Sequence, residues 1–510
     1  MTLEQLREQR RELAFAPRGI LANNDGCDCL YYPKDLEITV ENFLDRRTTA
    51  LADEASQVGA IAYCTISSGF SFFTHDTEAG TVLTREPADY GIRPDRRNAA
   101  QPLIDLGSDC LQSVVDFGHA HDMDVFWSMR MNDTHDNAHS PDNPYLLFPP
   151  LKEEHPEWLV GNHEDRTPHG RWSSVNYALP EIRDRAFSYV EEVCRNYDVD
   201  GIEMDFFRHP MFFKGPAWGK DATQAELGAL TAMVRRVRGV TEREGLRRGR
   251  PILVATRVPD SADYCKAMGI DLERWLAEGL IDLMAVSGYF RLNRWQMSVE
   301  LGHRHGVPVY PCLSETRVRD SRARKLRASL TCYRARAMNV WASGADGVYL
   351  FNFFKPRSPL WRQLGDPETL ARMDKVYTTG ARDPRAVNRW MRDGESRFLN
   401  RRILCPGRPI KLQPGQAAAV ELRVGEDIPQ GAAVTAQLRV KGLEDPDKLT
   451  VELNGTPLSG GRNGIWIDYA VKPSVVRKGV NRFAVTLAAD AGAEPVVQDL
   501  ALWVRHRKGK

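Results

Sequence analysis

Eight short apolar runs, spaced by segments of helical length, constrain this chain more than any other feature. They fall at 18–25, 60–67, 125–133, 199–210, 252–257, 283–289, 309–315 and 347–352. Between them lie stretches with amphipathic helical patterning, such as 36–58, 180–197, 225–244 and 321–343. Strands that alternate with helices run parallel and are joined by right-handed crossovers. Eight such units predict an α/β fold, a closed (β/α)8 TIM barrel. An open doubly wound sheet is disfavoured, because no glycine-rich phosphate fingerprint follows the first run.

The texture changes near Phe398. Short alternating runs begin at 418–422, 434–440, 449–453, 465–471, 481–487 and 496–504, separated by turn signals such as Asn454-Gly455. That pattern predicts an all-β sandwich. The expected division is a catalytic barrel over 1–365, a helical connector over 366–400 and a β-sandwich accessory domain over 401–510. Trp466 and Trp503 are the sandwich's only tryptophans, too few for a sugar platform, so it reads as a brace.

Composition narrows the partners. Sixty-nine basic and 68 acidic side chains leave a net charge of +1, which gives neither nucleic acid nor an anionic membrane an electrostatic hold. The basic tail 505–510 reads as a solvated terminus. No run is long enough for a transmembrane helix. The charged N-terminus lacks the apolar core of a signal peptide, so the chain as written is expected in the cytoplasm, or in the periplasm or outside if a leader was removed. Nine scattered cysteines do not form a disulfide framework. HExxH, P-loop and Gly-x-Ser-x-Gly spacings are absent, and no cofactor is expected. Asp133, His135, Asp136, His139 and Asp142 have metal-ligand chemistry, but a long loop after the third strand explains them as well, and no metal is assigned.

In barrels of this kind the chemistry sits at the C-terminal strand ends. Those ends hold Asn24 and Asp25, then Ser67 and Ser68, then Arg130, Asn132 and Asp133. The fourth adds Glu203, Asp205, Arg208 and His209; the rest add Arg257, Ser287 and Tyr289, Glu315, and Asn352. Within the fourth run, Glu203 and Asp205 share one face while Ile202, Met204 and Phe206 share the other. Two buried carboxylates are costly unless they are paired or hydrogen-bonded.

Paired carboxylates across a barrel mouth are what glycoside hydrolysis requires: one protonates the leaving oxygen, the other attacks the sugar or activates water. Their separation, about 5–5.5 Å or about 6.5–9.5 Å, decides between retention and inversion. Asp205 is the first choice for acid/base, its pKa raised by Glu203 beneath it. Glu315 is the expected second carboxylate, with Glu203, Asp25 and Asp133 as alternatives. The remaining end residues, Asn24, Asp25, Arg130, Asn132, Asp133, Arg208, His209, Arg257, Tyr289 and Asn352, are expected to bind substrate. Three arginines exceed the need of a neutral sugar and suit either an acidic or sulfated one or the neutralisation of the buried acids.

The order His155-Pro156-Glu157-Trp158, Asn176, Pro180-Glu181-Ile182-Arg183-Asp184 and Tyr197-Asp198-Val199-Asp200-Gly201-Ile202-Glu203-Met204-Asp205 resembles the glycosyl hydrolase-like 10 family and related barrel glycosidases. The resemblance is specific over 148–209. It implies a barrel glycosidase acting on polysaccharide and carries over Asp205 alone, because the family's second acid after this strand is absent here. Glu203 and Glu315 rest on the strand reading. Two other readings are a barrel that binds carbohydrate without catalysis and a lyase on uronic-acid polymers using Tyr289 with an arginine.

Overall fold

The computed structural model describes residues 1–66, 68–491 and 494–506. Ser67 and the end of the basic tail, 507–510, lie outside the described residues. The eight runs form strands β1 (Ile20–Asn24), β2 (Val58–Tyr63), β3 (Asp124–Arg130), β4 (Gly201–Asp205), β5 (Leu253–Val258), β6 (Leu283–Val286), β7 (Val309–Ser314) and β8 (Val348–Phe351). They close into one barrel in sequence order, β8 pairing with β1, with every neighbouring pair parallel.

Period-two alternation sorts each strand's side chains into two layers. Ile202, Met204 and Phe206 face outward into the main core with Ile61, Val125, Val254 and Met284. Ala60, Ala62, Phe126, Leu253, Ala255 and Tyr349 fill the interior. At the floor, a Cβ on Gly201 would lie 2.3 Å from the Phe126 ring, so that glycine is set by the ring that plugs the barrel. The outer helices follow the predicted spacing. In α1 (Pro180–Asn196), Ile182, Ala186, Tyr189, Val190 and Val193 are buried along one stripe. Helix α2 (Gln224–Arg248) starts with a capping box between Thr223 and Glu226.

The C-terminal region forms two antiparallel sheets. One runs β9 (Lys375–Thr378), β18 (Val496–Arg505), β12 (Ala433–Lys441), β16 (Trp466–Val471), β15 (Gly460–Asn463), with β10 (Ile410–Lys411) also on β18. The other runs β11 (Ala417–Val424), β17 (Gly479–Leu487), β13 (Leu449–Leu453), β14 (Thr456–Leu458). Their inward residues, among them Val420, Leu422, Leu438, Val451 and Phe483, make a core of their own.

The segment 366–400, read from sequence as helical, departs from that reading at β9. Lys375 to Thr378 pair antiparallel with Val504 to Ala501. The strand forms because Tyr377 is buried in the sandwich core and Val376, on the other face, packs with Cys332 and Ala501, while the Lys375 amine and the Tyr377 hydroxyl reach Glu426 at 2.8 and 2.6 Å. A second tie joins the barrel's outer layer to the sandwich. Arg327, at the end of α3 (Ser321–Arg327), donates two hydrogen bonds of 2.7 and 2.6 Å to Asp499 on β18, both side chains wholly buried. No disulfide joins the cysteines among the described residues, and no helix among them is long and apolar enough to cross a membrane.

Candidate active site at the barrel mouth

Glu203 and Asp205 project from the inner face of β4, at 1% and 2% exposure. Glu203 Oε1 accepts from Ser128 Oγ of β3 at 2.5 Å and from Tyr349 OH of β8 at 2.9 Å. Its pKa is raised to about 7, by burial first and then by the charge of Asp205. Asp205, one pleat nearer the mouth, accepts from Arg257 Nη2 of β5 at 2.6 Å and from the Phe207 backbone N–H at 2.9 Å. Arg257 is itself wholly buried, its guanidinium 4.1 Å from the centre of the Phe351 ring. The like-charge repulsion expected from sequence is present, and it acts on Glu203, which only hydroxyls reach, while a guanidinium lies against Asp205.

A second charged network caps the ends of β1, β3 and β4. Asp133, with no exposed surface, accepts from Arg130 Nη1 and from His135 Nδ1, both at 2.9 Å. His135 Nε2 accepts from Arg208 Nη2 at 3.0 Å, which places the imidazole proton on Nδ1. His209 Nδ1 accepts from the Thr134 backbone N–H at 2.9 Å. Burial, followed by the neighbouring His135, holds its pKa well below the ordinary histidine value. Arg208 is lowered to about 10, by burial and then by Arg130. Asn24 and Asp25 both accept from Arg47 Nη1, at 3.0 and 2.8 Å. Burial works to raise the Asp25 carboxyl, but Arg47 and Arg130 outweigh it and hold it below its usual value.

Donor atoms of Asp133, His135 and His209 lie within 4.8 Å of one another. Their lone pairs are already met by N–H groups of Arg130, Arg208 and Thr134, and Arg171 Nη1 sits 3.3 Å from His209 Nε2. Three guanidiniums around three ligands repel a cation, so these residues do not fit a metal ion. Asp136 turns away to the buried Lys152 at 2.6 Å, and His139 stacks on Phe148.

The remaining predicted positions divide. Tyr289 lies inside a ring of guanidiniums, with Arg208, Arg257, Arg317 and Arg382 at 5.3, 5.9, 5.3 and 5.6 Å from its ring centre. Its hydroxyl is buried without a hydrogen-bond partner among the described residues, as is Asn352 Oδ1. Asn132, by contrast, spends its whole amide on the backbone of Val175 and Met211. It clamps two loops and leaves nothing for a sugar. Glu315 lies one residue past the end of β7, where the chain has left the barrel; it is exposed and has no hydrogen bond or ion pair to Glu203 or Asp205 among the described residues.

Residues that sequence reasoning passed over complete the site. Ser128 and Tyr349 share the inner face with Glu203, and the alternation of β3 and β8 carried that signal. Arg47, Arg171 and Arg382 come from helix ends and loops, where no periodicity marks them. Backbone strain also gathers here. Ile66, Ser287 and Asn352, just beyond β2, β6 and β8, take φ of 73°, 75° and 49°. Left-handed backbone at non-glycine residues costs about 1–3 kcal/mol each and clusters at functional sites.

A family model described as Glycosyl hydrolase-like 10 matches residues 80–227. The glycosyl hydrolase YngK of Bacillus subtilis (strain 168) is 25% identical over 147 residues, 28% of this chain and 26% of that protein, so the match spans about a quarter of the relative. Among solved structures, a cycloisomaltooligosaccharide glucanotransferase of Paenibacillus sp. aligns with 96% of this chain and 57% of its own, at 10% identity and a TM-score of 0.37. The alpha-L-fucosidase isoenzyme 2 of Paenibacillus thiaminolyticus aligns with 69% of this chain and 49% of its own, at 12% identity and a TM-score of 0.38. A family 18 N-acetylglucosaminidase of Paenibacillus barengoltzii aligns with 69% of this chain and 98% of its own, at 12% identity and a TM-score of 0.37. The matched segment holds β3, β4 and the Glu203–Asp205 pair, and the family it matches is the one the fourth-strand motif resembles, glycosyl hydrolase-like 10.

Proposed function

We propose that this chain is a glycoside hydrolase whose reaction is carried by the two carboxylates of β4, on a carbohydrate that bears negative charge. One observation carries the reading: Glu203, with a pKa raised to about 7, lies on the same inner face as the Arg257-bound Asp205. Pairs of acids whose environments differ in this way separate into proton donor and anionic partner. Glu203 is partly protonated near neutral pH and serves as the donor, and Ser128 and Tyr349 fix its orientation. Asp205, nearer the mouth, faces the sugar, and Arg257 orients it. The guanidinium ring around Tyr289 supports an acidic or sulfated substrate.

Both acids are closed to solvent and Asp205 is held in a 2.6 Å ion pair. That observation favours a second reading, a barrel that binds carbohydrate and leaves it unchanged. Hydrolysis of a panel of aryl glycosides and charged oligosaccharides, wild type against Asp205→Asn, separates them. Turnover of one sugar by wild type alone supports the hydrolase. Binding of the same sugars with no product supports the second reading, and a product with a new ultraviolet-absorbing double bond would instead assign a lyase at Tyr289.

A further inference from the structure

A cavity of about 130 Å³ adjoins the barrel mouth, in the seam between the ends of β6 and β7, the helix α4 (Leu330–Trp341), the connector and the sandwich strand β11. It has roughly ten times the space that one water needs. Seven arginines and two carboxylates line it. Both carboxylates are already engaged, Glu421 with Arg294 at 3.4 Å and Asp383 with Arg385 at 2.5 Å. Arg291, Arg336, Arg382, Arg401, Arg402 and Arg423 remain, and none has a carboxylate within 4.0 Å among the described residues.

These guanidiniums come from four different elements, so their donors converge from several directions. Arg336 Nη1 and Arg382 Nε are buried with no acceptor among the described residues. Asn339 lines the same cavity; its Nδ2 donates to the Arg423 carbonyl at 3.2 Å, while its Oδ1 is buried without a donor. Burial first, and then neighbouring guanidiniums, lower the pKa of Arg291, Arg382 and Arg423, with Asp260 opposing the shift at Arg291.

We propose that this seam cavity is a binding site for a tetrahedral oxyanion ester, a sulfate or phosphate group carried on a hydroxylated small molecule such as a sugar. A carboxylate presents two oxygens in one plane and is satisfied by a single fork. Three or four tetrahedral oxygens match donors arriving from several sides. The carrier's hydroxyl supplies the donor that Asn339 Oδ1 lacks. An occupant touches barrel, connector and sandwich together, so its binding also stabilises the fold by mass action.

Isothermal titration calorimetry at constant ionic strength tests the site, with inorganic sulfate, glucose 6-sulfate and glucose 6-phosphate as probes. The expected result is that wild type binds an ester at least tenfold more tightly than inorganic sulfate. Arg336→Gln and Arg401→Gln should each weaken it at least tenfold with an unchanged circular dichroism spectrum, and Asn339→Leu should erase the preference for the ester. Asp205→Asn should bind the ester as wild type does, which separates this site from the chemistry proposed for β4. Equal affinity for inorganic sulfate would overturn the hydroxylated carrier. No binding of any probe, or binding unchanged in both arginine variants, would overturn the site.

Discussion

Two buried Arg–Asp pairs in this molecule have almost the same chemistry and opposite surroundings. At the seam, Arg327 meets both oxygens of Asp499, and the fork closes on itself with nothing left over. In the barrel, Arg257 meets one oxygen of Asp205, the backbone takes the other, and an additional acid, Glu203, lies beneath. The first pair is balanced and joins two layers. The second carries a surplus carboxyl whose proton is loosely set near neutrality. Burial of an ion pair therefore says little by itself; the unmatched group beside it marks the place where protons move.

The sharpest way to break this comparison is to remove charge from each pair in turn. Asp205→Asn keeps an acceptor for Arg257 and should lower turnover at least about 100-fold with the fold intact; a fully active variant would make the barrel pair structural too. Asp499→Ala strands the buried Arg327 and should cost about 3–5 kcal/mol in urea unfolding, while turnover per folded molecule stays as in wild type.

Glu203 gives a pH test with a definite sign. Its folded pKa of about 7 lies above the ordinary 4.5, so the folded state holds the proton more tightly than the unfolded chain. That contribution is fully present below about pH 4.5 and is lost as pH rises through about 7. Compared with wild type, Glu203→Gln should lack a loss on the order of 3 kcal/mol across that window. Identical pH–stability curves would place Glu203 with the balanced pairs. Smallest is Tyr349→Phe, which removes a hydrogen bond that lowers the Glu203 pKa. It should cost about 1 kcal/mol and move the carboxyl's titration, followed by infrared absorption, to higher pH.

The barrel was legible because each strand is a continuous apolar run and each is followed by a helix, a pattern that admits few folds. The inward direction of Glu203 and Asp205 followed from period-two alternation alone. Glu315 follows Ser314, the last residue of β7, where the strand's period no longer fixes the direction of a side chain. Asn132 has the polarity of a ligand-binding group, and only the fold reveals that backbone groups of Val175 and Met211 consume it. Strand β9 was missed because four residues between helical signals are too short to show a period. The arginines of the seam lie far apart in sequence, and no local pattern announces that they meet.

Strand β9 also bears on how this protein can be taken apart. A fragment cut at 401 would leave the 501–504 stretch of β18 without a partner on one side, an open sheet edge of the kind that recruits other chains. It would also carry Asp499 into the new molecule without Arg327. The portable unit for recombination, in a genome or at the bench, therefore begins upstream of Lys375, and even that unit travels with a buried acid that only a barrel like this one can neutralise.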